Sequence, residues 1–188
     1  MKYTELQVTT NFTFLRGASH PEELVEQAAI LGYECIAITD RNTLAGVVRA
    51  YSAAKKAGIR VIAGCRLDLK DGASLLAYPT NKDAYSRLSG MLSLGNMRTE
   101  KGKCDLYKSD VYKHATGIKF IIVAPTNLNS EFAFEDEFTR TVAEYKGVFG
   151  QHVYLAASRT YQANDAKRLC RLAALSEEYG VPMAAVND

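Results

Sequence analysis

The sequence predicts an α/β domain, either a barrel or a doubly wound sheet, from three observations. Short apolar runs such as IAIT, RVIAG, FIIV and VYLAA recur along the chain. Near-continuous apolar segments of that length suit strands covered on both faces. Amphipathic stretches of helical period separate them, and the alternation is regular enough to count seven strands.

The first strand is expected at Tyr3–Val8. Ser19 followed by Glu22 has the spacing of a capping box, Pro21 sits in the first turn, and Leu24, Ala28 and Leu31 repeat up to Gly32, which predicts a helix over 20–31. A second strand, Cys35–Thr39, leads into a helix whose apolar face is Leu44, Val47, Val48, Tyr51 and Ala54, ending at Gly58. The third and fourth strands, Arg60–Asp68 and Ser74–Tyr78, are joined by Lys70-Asp71-Gly72, a turn too short for a crossover helix. That pair is therefore expected to be an antiparallel hairpin, the one break in the α/β pattern. Helices are expected over 81–94, 108–115 and 131–146, and strands at Phe120–Val123 and His152–Ala157. Ala166, Leu169, Cys170 and Ala173 predict a last helix up to Gly180, and Pro182–Val186 forms the seventh strand. Asn96–Asp110 carries Arg98, Lys101, Lys103 and Lys108 against Glu100 and Asp105. It reads as a solvated surface loop; a nucleic-acid contact is the alternative, with no aromatic stacking to support it.

The 188 residues make one domain, expected to span 1–188, and 47% apolar with 23% charged residues exclude disordered and coiled-coil classes. No run approaches a membrane span and the N-terminus has no secretory apolar region, so a cytoplasmic protein without membrane contact is expected. Four cysteines without a C-x-x-C pair argue against disulfides and a zinc knuckle. A net charge of +2, from 23 basic and 21 acidic residues, names no partner. The last strand runs straight into Asn187-Asp188, where α/β proteins place their chemistry, and so the chain looks cut, either by an imposed boundary or by natural truncation.

The functional rim of such a fold is the set of residues after each strand's carboxyl end. It holds Gln7, Thr9, Thr10 and Asn11, then Thr39, Asp40, Arg41 and Asn42, then Cys65, Arg66 and Asp68, with Pro125 to Asn127, Ser158, Arg159, Asn187 and Asp188 completing it. No histidine lies on it, which makes a histidine-based metal site hard to build. Asn42 or Thr43 is expected to cap the following helix. Cys65 reads as a buried strand thiol rather than a nucleophile, and no glycine pattern forms a phosphate cradle.

The run YTELQVTTNFTFLRGASHPEELVEQAAILGYECIAITDRNTLAGVVRAYSAAKKAGIRVIAGCRLDL resembles the start of the polymerase and histidinol phosphatase (PHP) domain of bacterial C-family DNA polymerases, closest to the error-prone, DnaE-type branch. The runs SLLAYPTNKDAYSRLSGMLSLGNMRTEKGKC and VPMAAVND continue the resemblance in order, so that it covers essentially the whole chain. It implies a distorted seven-stranded, TIM-like (β/α)7 barrel, truncated at its C-terminal end. In members with an intact site it also implies a phosphoesterase whose His, Asp, Glu and Cys ligands bind up to three metal ions. This chain departs from those ligands. Gln7-Val8-Thr9 stands for the His-X-His pair, Asp40-Arg41 for Asp-His, and Arg66 for the glutamate after Gly-Cys, while Asp188 keeps the aspartate of the last motif.

Gln7 and Thr9 offer only neutral oxygens, whereas Arg41 and Arg66 put fixed positive charge beside the cation's position. At an effective dielectric near 20 and about 4 Å, two unit charges repel by about 4 kcal/mol, and a divalent ion by about twice that. The expectation is a degenerate pocket of Gln7, Thr9, Asp40, Arg41, Arg66 and Asp188, with neither catalytic nor metal-binding residues. Arg41 or Arg66 is expected to form bidentate pairs with Asp40 or Asp188; the alternative is that they point into solvent. With the ligands lost, the domain is expected to be an inactive scaffold at the N-terminus of the longer error-prone polymerase that the resemblance implies. Magnesium and the nucleotidyltransferase chemistry of translesion synthesis, DNA repair and replication belong to that parent. The partners expected are its remaining domains and, through them, DNA. A metal-dependent phosphoesterase with ligands rearranged around Asp40, Asp68 and Asp188, and a free-standing interaction module, are the competing readings.

Overall fold

The structure, a computed structural model, describes residues 3–187. In chain order its elements are α1 (Pro21–Ile30), β1 (Cys35–Ile38), α2 (Val47–Ala57), β2 (Arg60–Ala63), β3 (Cys65–Leu67), β4 (Leu75–Pro79) and α3 (Lys82–Met97). There follow α4 (Lys108–His114), β5 (Ile118–Ile122), α5 (Asp136–Phe149), β6 (Val153–Ala157), α6 (Asp165–Tyr179) and β7 (Met183–Ala185).

The strands follow one another around a distorted barrel. β1 pairs in parallel with β2, and β3, β4, β5, β6 and β7 form a second sheet in that order. β4 runs antiparallel to both neighbours, reached from β3 by the short connection over 68–74, which holds no helix, while β5, β6 and β7 are parallel. β2 and β3 are one expected strand divided at Gly64, whose amide still bonds the Ile38 carbonyl at 3.0 Å. A Cβ at Gly64 would lie 2.9 Å from Thr39 and 3.0 Å from the Tyr78 ring. Only glycine lets the strand turn from the β1 side to the β4 side there.

The expected first strand is reduced to a single bridge, Glu5 with Ile36. Its amides are diverted to side chains: Gln7 N–H donates to Glu5 Oε1 at 3.2 Å and Val8 N–H to Thr39 Oγ1 at 3.0 Å. A ladder cannot form where the donors are already taken. The segment nevertheless lies along β1 and helps to close the barrel, because Tyr78 donates to the Leu6 carbonyl at 2.5 Å and Asn187 N–H to Glu5 Oε1 at 3.2 Å.

Alternation along each strand sorts the core into layers. Ala37, Leu76, Tyr78, Ile121, Ala156 and Val186 fill the interior. Ile36 and Ile38 face outward onto α1 and α2, and Leu75, Ala77, Phe120, Ile122, Val153 and Leu155 face outward onto the remaining helices. With both faces covered, β1 is buried at every position, which is why its sequence is apolar without alternation.

Three helix starts differ from expectation. The box at α1 is shifted by one residue: His20 N–H donates to Glu23 Oε2 at 2.7 Å, so Ser19 is not the cap. Asn42 and Thr43 do not cap α2, which begins only at Val47 after Gly46. Asn42 takes a left-handed turn, φ 50°, in the connecting loop instead. Residues 131–135 stay outside α5 because Asn129 Oδ1 accepts from the amides of Glu131 and Ala133, tying that stretch into a turn. Nor is 96–110 simply a solvated loop. Leu106 is fully buried, and Arg98 makes a two-bond pair with Asp110 at 2.5 and 2.8 Å.

Candidate functional site

The carboxyl ends of the parallel strands surround a cavity of about 640 Å³, whose walls include Gln7, Arg66, Ser74, Ser158, Arg159 and Asn187. Because β4 runs the other way, it is its amino end, at Ser74, that reaches this rim. The six pocket residues expected from sequence divide into separate arrangements here. Gln7 and Arg66 line the cavity; Thr9, Asp40 and Arg41 do not. Asp188 lies outside the described residues.

Asp40 follows β1 and is 1% exposed. Its Oδ1 accepts from the Thr10 amide at 2.8 Å and the Thr13 hydroxyl at 2.7 Å, and its Oδ2 accepts from the Thr10 hydroxyl at 2.8 Å. Gly46 packs so closely that a Cβ there would lie 2.6 Å from Asp40 Oδ2. The carboxylate therefore anchors the loop after residue 8. The expected pairing of an arginine with Asp40 is not what forms.

The arginines converge on Asp68 instead. Arg41 Nη1 lies 3.0 Å from Asp68 Oδ2, and Arg66 Nε lies 2.9 Å from Asp68 Oδ1. Ser74 donates its hydroxyl to Asp68 Oδ1 at 2.7 Å, and the Asp68 amide donates to Asn42 Oδ1 at 3.0 Å. Strand alternation puts Arg66 and Asp68 on the same face, and a backbone bridge between Arg41 and Arg66 brings the second guanidinium alongside. Burial by itself would raise the Asp68 carboxyl, but the Ser74 hydroxyl and the Arg66 and Arg41 guanidiniums outweigh it and hold the group below the usual carboxylate range.

Gln7 is 5% exposed, and among the described residues neither its carboxamide nitrogen nor its oxygen has a hydrogen-bond partner. Cys65, fully buried, directs its thiol to the Asp40 carbonyl at 3.4 Å, and burial pushes that thiol up, away from nucleophilic reactivity. The loop after β6 is held by a buried arginine: Arg168 donates to the Ser158 carbonyl, and the Asp165 carboxylate accepts from the Thr160 amide at 3.1 Å. Among the described residues, no three His, Cys, Asp or Glu side chains converge as they would to hold a metal ion.

Asp68 was visible as a rim residue, and its i, i+2 spacing from Arg66 was the signal for the pair. Ser74 could have been placed opposite Asp68 from the hairpin. Thr13 and Arg168 carried no comparable signal, since their partners lie 27 and 10 residues away.

The family described as PHP domain matches residues 5–160. The chain belongs to the PHP domain family. It is 50% identical over 187 residues to an error-prone DNA polymerase of Caulobacter vibrioides, covering 99% of this chain and 17% of that protein. An error-prone DNA polymerase of Agrobacterium fabrum is 41% identical, with 100% of this chain and 16% of the relative covered. The chain thus spans about one-sixth of the length of these relatives. Among solved structures, one assigned as a metal-dependent phosphoesterase from Bifidobacterium adolescentis superposes with a TM-score of 0.70 at 14% identity, covering 98% of this chain and 86% of that one. An amidohydrolase from Chromobacterium violaceum, with bound sulfate and no metal, gives 0.65 at 13% identity, covering 97% and 87%. At such identities these structures establish the PHP fold alone. No helix among the described residues is long and apolar enough to cross a membrane.

Proposed function

We propose that this PHP domain is the N-terminal part of a cytoplasmic error-prone DNA polymerase and acts there as a scaffold, with no catalytic centre of its own. The parent copies damaged templates in DNA repair and replication with magnesium held elsewhere in the chain. This domain's partners are the parent's other domains and, through them, DNA. The 50% identity to an error-prone polymerase over 187 residues supports the parentage.

The observation that carries the scaffold reading is the Arg41–Asp68–Arg66 cluster. The metals used by other members of the fold do not fit this donor set. Asp40 has both oxygens committed to Thr10 and Thr13, Asp68 is neutralised by two guanidiniums, and Gln7 is an uncharged amide. Desolvating a divalent ion against two fixed positive charges is unfavourable. The cluster supplies instead the neutralised packing that a metal centre would otherwise provide, tying the ends of β1, β3 and β4 together.

Hydrolysis of a generic phosphodiester with added manganese tests the reading. Turnover no greater than that of buffer is expected. Turnover abolished by Asp40→Asn would establish instead a phosphoesterase with rearranged ligands.

A further inference from the structure

We propose that the amino-terminal mouth of the barrel binds a small amphipathic acid, a free medium-chain carboxylate whose apolar tail enters the interior and whose charged end lies between Lys119 and Tyr154. The site is at the opposite end of the barrel from the rim described above and does not depend on the scaffold reading.

A second cavity, of about 400 Å³, opens at this end, lined by the second residues of β5, β6 and β7 and by Pro79 and Thr80 at the end of the antiparallel β4. Its walls are Leu6, Ile62, Tyr78, Ile121, Tyr154 and Ala184, all of which belong to the interior layer or pack against it. Small barrels fill such space with side chains. Here the filling stops short, because Leu6, Ile62, Tyr154 and Ala184 are only partly buried. Two of the wall's hydroxyls are already spent: Tyr78 donates to the Leu6 carbonyl at 2.5 Å and Thr80 to the Gly117 carbonyl at 2.7 Å. The wall they leave is apolar.

Strand alternation decides what stands at the mouth. Phe120 and Ile122 face outward onto the helices, so Lys119, which lines the cavity, shares the inward face with Ile121. Arg60 shares a face with Ile62 in the same way. Neither Lys119 nor Arg60 makes an ion pair among the described residues. The pairing of β5 with β6 sets Tyr154 beside Ile121, one inward position beyond Lys119. Its hydroxyl has no hydrogen-bond partner among the described residues. No carboxylate lines the cavity, and Glu5, next in the chain to Leu6, is taken by the Tyr3 hydroxyl and by the Gln7 and Asn187 amides. An apolar cavity with an unpaired ammonium and a free phenol at its mouth fits a ligand with an apolar body and one anionic end. A neutral hydrocarbon would leave the ammonium without countercharge, and a purely polar anion would leave the interior unfilled.

Calorimetric titration of the 188-residue chain with octanoate tests the proposal, with hexanoate, octanol and acetate alongside. Saturable one-site binding of octanoate is expected, about tenfold tighter than hexanoate because two further methylenes leave water. It should shift the methyl resonances of Ile62 and Ile121, and acetate should not bind. Lys119→Glu, at an exposed position, should weaken octanoate by about tenfold or more. Tyr154→Phe should weaken it severalfold. Neither substitution should lower the urea midpoint of the ligand-free chain, since neither group has a partner to lose. Absence of saturable binding, octanol binding as tightly as octanoate, or an affinity unmoved by Lys119→Glu overturns the proposal. So does binding that this chain shows but that is lost in a full-length error-prone polymerase carrying the same domain, because another segment of that protein would then fill the mouth.

Discussion

Asp68 holds two guanidiniums and a hydroxyl on one carboxylate, and substitution by asparagine leaves the arginines without their shared countercharge. Asp68→Asn should destabilise the chain by about 1–3 kcal/mol, read as a lower urea midpoint at neutral pH. The same carboxyl sets a pH dependence. Its pKa is depressed by folding, so its contribution is present above the unfolded value of about 3.9 and is lost as pH falls through the folded value. The wild-type urea midpoint should therefore fall as pH drops below about 4. In Asp68→Asn the fall should be shallower but not absent, because Asp110, through its Arg98 hydrogen bonds, and Asp165, through the Thr160 amide, are depressed in the same window. An unchanged slope would show that the cluster is not coupled to folding. At this scale the sequence revealed which residues stand on the rim, and that two are arginines. It did not reveal their partners, because Asp40 is claimed by Thr13, 27 residues earlier in the chain, a contact that only the folded loop creates.

Among the elements, strand identity was largely legible because strands buried on both faces have little room for polar residues. The hairpin was legible from its turn. What periodicity could not show was competition for backbone amides: Glu5 and Thr39 side chains take donors that a first strand would have used, and Asn129 delays α5. Gly64 is the point where one expected strand becomes β2 and β3. Gly64→Ala brings a methyl within 3.0 Å of Thr39 and Tyr78, and should cost about 1–3 kcal/mol by forcing the interior to shift. Equilibrium denaturation checks this; a neutral alanine would mean that the bend is not fixed by close approach.

For the molecule as a whole, the barrel is held unevenly. β4, β5 and β6 are each paired on both sides, whereas residues 3–8 make one bridge to β1 and meet the β7 end through a Glu5 side chain. Hydrogen exchange should accordingly show residues 3–8 opening well before β4–β6, with uniform protection as the contrary result. This seam and the arginine cluster share one rim, since Gln7 and Arg66 line the same cavity. Anomalous diffraction from crystals of this chain soaked in manganese measures the consequence directly. The account predicts no ordered ion at that rim; a manganese ion coordinated by Asp40 or Asp68 at full occupancy would contradict it.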